Sequence, residues 1–171
     1  MEIAAGVCLG VLFLFAVFDS IRGRIPNLHV VLSLALALVL QAGISGGGGA
    51  AGFLAGSALG LLVFLPFYMV GGVAAGDVKL MAVVGGFLGW QAVLWAAACT
   101  LIAGTALGLL YMLCRGGLGH FLQRCWASLA LREYIPPGAN DVSRDRIPYA
   151  IAIFAGTLAS LLLEAPPLFP S

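Results

Sequence analysis

The sequence predicts an all-α fold, a polytopic membrane bundle of about six transmembrane helices. Three observations carry that prediction. The chain of 171 residues is 62% hydrophobic and only 9% charged, against roughly 25% charged residues in a soluble domain. Apolar runs long enough to cross a bilayer recur from end to end. The Lys and Arg residues are confined to alternate connections between those runs. A net charge of +1 without a basic cluster gives no means of following phosphates, so nucleic acid is not a partner. The lipid bilayer is the expected surrounding.

The spans fall at approximately 3–18, 28–44, 52–70, 77–89, 91–114 and 147–164. The first follows Glu2 with no positive segment ahead of it, so it reads as a retained helix rather than a cleaved signal. Pro26 and Asn27 stand where the second helix starts, Pro26 to shape the start and Asn27 to cap it. Four consecutive glycines at 46–49 read as a flexible turn into the third span. Gly52, Gly56 and Gly60, then Gly85 and Gly89, then Gly104 and Gly108 recur every fourth position, the spacing that lets membrane helices approach closely.

The fourth and fifth spans form one nearly continuous apolar stretch, interrupted only at Gly89-Trp90-Gln91. About 35 residues is too long for one crossing of a hydrocarbon layer roughly 30 Å thick. A tight turn there, with Trp90 at the interface, resolves the excess. The loop 115–146 is the one sizeable polar segment. Within it Phe121, Leu122, Cys125, Trp126 and Leu129 fall at helical spacing, which predicts an interfacial amphipathic helix around 118–133, ended by Pro136-Pro137-Gly138. Cys8, Cys99, Cys114 and Cys125 are scattered without a CxxC pair, so they read as reduced thiols rather than metal ligands.

Charge placement sets the expected sidedness. Arg22 and Arg24 follow span one, Lys79 sits at the junction of spans three and four, and the remaining five arginines lie between spans five and six. Six crossings put all of them on one side, which the positive-inside rule makes cytoplasmic, with both termini outside. Five crossings would split the basic residues across the membrane.

Against this apolar background two aspartates stand out. Asp19 lies at the end of the first span and Asp77 at the start of the fourth; among residues 1–132 only Glu2 adds another acid. Carboxylates at a membrane boundary are costly to desolvate and call for a function. Taken singly, Asp77 could cap a helix and Asp19 could pair with Arg22 or Arg24.

Asp19 with Arg22 and Ile25-Pro26-Asn27, followed by Gly76-Asp77-Val78-Lys79-Leu80 and later by Arg146-Ile147-Pro148-Tyr149-Ala150, resembles the type IV prepilin peptidases. The resemblance covers nearly the whole chain, with the motifs in order at helix edges. It implies a single integral-membrane peptidase domain over 1–171 and an aspartic endopeptidase of the bacterial inner membrane. It further implies removal of prepilin or pseudopilin leader peptides at the cytoplasmic face. Asp19 and Asp77 would be catalytic, with Gly76, Lys79, Arg22, Pro26 and Asn27 in support. No metal or organic cofactor is implied. The short form is similar to the peptidases of tight-adherence (Flp-type) pili; without paired cysteines between spans one and two, N-methyltransferase activity is not expected. One departure is Ala74, where the family pattern Gly-x-Gly-Asp has its first glycine.

The chemistry needs one ionised carboxylate to activate water and one protonated carboxyl to bond the scissile carbonyl. The helix ends favour Asp77 as the base and Asp19 as the acid; Arg22 and Arg24 favour the opposite. A small transporter or channel component with interfacial carboxylates is the alternative, and an inactive membrane scaffold a third.

Overall fold

A computed structural model describes residues 2–22, 26–115, 119, 123, 126 and 149–163. Among these residues all regular structure is α-helical. Helix α1 spans Glu2–Arg22, α2 Asn27–Met69, α3 Ala75–Cys114 and α4 Tyr149–Leu162. Leu, Ala and Val dominate their sequences, and in hydrocarbon a helix is the form in which a single segment satisfies its own backbone. Four stretches are long and apolar enough to cross a membrane: Ile3–Ile21, Asn27–Ile44, Gly46–Met69 and Ala75–Cys114, with Tyr149–Leu162 a shorter apolar helix.

Two of the helices are interrupted. In α2, Gly46 leaves the helix with φ 58°, and in α3, Gly89 does so with φ 81°. Both are left-handed positions that glycine takes without a Cβ penalty. The chain doubles back at each. A Cβ on Gly49 would strike the backbone carbonyl of Gln41, and one on Gly85 would lie 3.1 Å from the Val93 side chain. Eight residues along a straight helix would separate such pairs by about 12 Å. The break expected at Gly89-Trp90-Gln91 is therefore present. The expected flexible turn over 46–49 is not: only Gly46 departs from helix, and residues 47–49 are helical. The helix after the turn accordingly starts at 47 rather than 52.

The glycine spacing works where two backbones meet. Added Cβ atoms on Gly56 and Gly85 would each collide with the other's carbonyl, and one on Gly60 with the carbonyl of Met81. Gly86 faces the Phe53 ring and Ser57 Oγ. Gly52 and Gly108 face open space, so the regular spacing overstates the contact. Gln41 Nε2 donates to Phe87 O at 2.7 Å, joining the two turn regions.

These contacts make the first part of α3 the centre of its unit. Asp77, Val78 and the whole run 80–87 are buried. Around it pack Cys8, Leu12 and Phe15 of α1, Phe53 and Phe64 of α2, and Ile153 of α4. Phe13 and Phe154 meet edge-on at 5.9 Å between α1 and α4. Large apolar residues such as Leu14, Leu32, Leu54, Leu62 and Ile102 point outward, as helices in lipid do.

The chain divides into two compact units, one of Met1–Gly104 with Pro148–Ser171 and one of Thr105–Ile147. In the second, α3 ends at Cys114 and the Arg115 guanidinium lies 5.4 Å from the Tyr111 ring centroid. The interfacial helix expected around 118–133 lies outside the described residues except for Gly119, Gln123 and Trp126, which are helical.

Candidate active site

The site is assembled at the end of the first unit opposite Gly46 and Gly89. Helix α2 ends there in a Schellman motif. Gly71, at φ 78°, donates to Tyr68 O at 3.0 Å, and Gly72 donates to Phe67 O at 2.8 Å. The chain then needs only Gly71–Ala74 to turn into α3.

Asp77 is the third residue of α3, not its N-cap. The cap position is Ala74, whose side chain accepts nothing. Asp77 supplies the missing partner: its Oδ2 accepts the Ala74 N–H at 3.0 Å, while the Asp77 N–H donates to Ala74 O at 3.0 Å. This is the reaching-back half of a capping box. The carboxylate is thereby fixed in one orientation, and it is only 4% exposed. Ala74 itself is exposed, so its methyl, where the family pattern has glycine, finds room. Gly76 is the second helical residue, between cap and carboxylate.

Asp19 lies in the last turn of α1, which runs on to Arg22. It is half-buried. Phe18 beside it meets the His29 ring of α2 at a tilt of 46°, ring centroids 5.5 Å apart. Pro26 stands at the N-cap of α2 with φ −65° and ψ 130°, and its carbonyl accepts the His29 N–H at 3.1 Å. Asn27 is therefore the first helical residue rather than the cap. Its side chain has another use: Lys79 Nζ donates to Asn27 Oδ1 at 2.9 Å, across 52 residues of sequence. Phe18–His29 ties α1 to α2, and Lys79–Asn27 ties α2 to α3.

Burial and the Ala74 hydrogen bond dominate the surroundings of Asp77, and the Asp19 charge adds a smaller influence. Asp77 in turn acts on the phenol of Tyr149, the first residue of α4. In the sequence Tyr149 belongs to the motif at the entry to the last helix and has no site role, and only the fold relates it to Asp77. Arg24 lies outside the described residues.

The model of the type IV leader peptidase family matches residues 6–113, well over half of the chain, and the matched stretch includes Asp19, Asn27 and Asp77. The chain belongs to the type IV leader peptidase family. This is a membrane-bound family of aspartic peptidases, so the leader peptidase is a hydrolase of the membrane. Neither the curated proteins nor the solved structures compared with the leader peptidase gave a match.

Proposed function

We propose that this leader peptidase is one membrane domain over 1–171 that removes the leaders of type IV or Flp-type prepilins and pseudopilins, with Asp19 and Asp77 as its catalytic dyad. The observation that carries the reading is that α1 and α3 bring Asp19 within electrostatic influence of the buried Asp77, in a family of aspartic peptidases. Gly76, Lys79, Arg22, Pro26 and Asn27 serve by shaping the segments that present the pair.

Hydrolysis then proceeds without a covalent intermediate. The ionised carboxylate takes a proton from water, and the water oxygen bonds to the scissile carbonyl carbon. The carbonyl π pair moves to oxygen, which takes the proton of the other carboxyl. On collapse one hydroxyl returns its proton to that second carboxylate, the C–N bond breaks, and the leaving nitrogen takes the proton held by the first. The dyad ends as it began.

Six crossings are assigned to α1, the two parts of α2, the two parts of α3 and α4. The confinement of Lys and Arg to alternate connections supports a dyad at the cytoplasmic face of a bacterial inner membrane. A mainly apolar cleft of about 170 Å³ between α1 and α2, lined by Phe15, Phe18, Leu32 and Leu36 with His29 and Ser33, is in keeping with a substrate whose cut lies next to an apolar segment.

Co-expression with a candidate prepilin tests the reading. The native chain yields the shortened pilin on a gel. Asp19→Asn and Asp77→Asn insert normally but leave the precursor whole. Full processing by both variants would remove the dyad.

A further inference from the structure

Hydrolysis by two carboxyls gains from a further donor to the carbonyl oxygen besides the protonated carboxyl itself. One hydroxyl is held nearby, and three features hold it. The Tyr149 ring packs edge-on to Phe64, with centroids 6.4 Å apart, and Phe64 is fully buried. The ring also packs against the buried core of the unit. Gly104 leaves a slot for it: a Cβ there would fall on the Tyr149 hydroxyl and on two of its ring carbons.

Depth along the bundle agrees. Gly104 lies fifteen residues after the turn at Gly89, and Asp77 twelve residues before it. At 1.5 Å per residue these are about 22 and 18 Å from the turn, nearly level. The phenol lies in the field of Asp77, yet among the described residues no group accepts its proton. Asp77 Oδ2 accepts the Ala74 N–H. A donor beside Asp77 but not bonded to it is available to a molecule that Asp77 also meets.

We propose that Tyr149 is a further catalytic residue, its phenol donating a hydrogen bond to the carbonyl oxygen of the scissile peptide as that oxygen gains negative charge. The proton stays on the phenol throughout; the contribution is stabilisation of developing charge. The proposal rests on the prepilin-cleavage reading above. It also explains Gly104, which no turn or positive φ requires to be glycine.

The test is steady-state cleavage of a purified prepilin by the full chain in detergent micelles, comparing the native chain with Tyr149→Phe, and with Asp77→Asn as control. Tyr149→Phe keeps the ring and its packing. Its kcat should fall about 10²-fold, as when one oxyanion donor is lost, with KM within about a factor of two and the melting midpoint unchanged. An unchanged kcat, a loss confined to KM, or a loss that only tracks the folded fraction overturns the proposal. Inactive Asp77→Asn beside fully active Tyr149→Phe would sink this inference and leave the dyad standing. Normal cleavage by Asp77→Asn would overturn the dyad and this inference together.

Discussion

At the scale of single residues, the site depends on a few polar groups held by specific bonds. Asp77 caps its own helix through Ala74 N–H, so Asn at position 77 can keep that bond while losing the charge. A dyad defect there is then chemical rather than structural. The Lys79–Asn27 bond is exposed, and its contribution to stability is small, about 0.5–1 kcal/mol. Its larger effect is on position, because it holds the starts of α2 and α3 together. Lys79→Met and Asn27→Ala should each slow cleavage several-fold without a shift in melting midpoint. The double variant should be no slower than the worse single one, since both remove the same bond. Multiplying losses in the cleavage assay would show that the two residues act separately. Ala74→Gly should change little, because the methyl is exposed and the backbone does the bonding.

At the scale of elements, glycines divide by what they touch. Gly56→Ala drives a methyl into the carbonyl of Gly85, a clash in a packed interface that costs about 1–3 kcal/mol. Gly89→Ala places a side chain at φ 81°, costing about 1–2 kcal/mol. Gly52→Ala and Gly108→Ala meet nothing within 4 Å and should be neutral or mildly stabilising by up to about 1 kcal/mol, as alanine is the better helix former. Thermal unfolding in micelles ranks these four. The turn at Gly89 was legible because a nearly continuous apolar stretch of about 35 residues is too long to cross once. The span 77–89 was legible as short, but not as central: burial on every face depends on which helices surround it. The four glycines at 46–49 look alike in composition, and only the backbone shows that Gly46 alone leaves the helix. Asn27 resembles a cap in sequence because Asn prefers that place; Pro26 takes the position and frees its side chain for Lys79.

At the scale of the whole molecule, the alternation of basic and uncharged connections predicts an opposition that labelling can read. With Cys114 and Cys125 replaced, Lys79→Cys should be protected from a membrane-impermeant thiol reagent in intact cells, and Gly47→Cys should react. The reverse pattern would invert the proposed orientation. The meeting of Asp19 and Asp77 is a property of this same scale. Sidedness could bring both aspartates to one face, but only the packing of α1 and α2 around α3 brings them within reach. Tyr149 belongs to the same class: its sequence neighbourhood marks a helix start, and its proximity to Asp77 exists only once α4 is docked. The central claim is that the two carboxylates act as one unit, and single-turnover cleavage by Asp19→Asn, Asp77→Asn and the double variant tests it most directly. A shared mechanism predicts losses of similar size, about 10³-fold or more, in all three, because removing either member disables the pair. Losses that multiply in the double variant, or near-normal cleavage by either single variant, would contradict it.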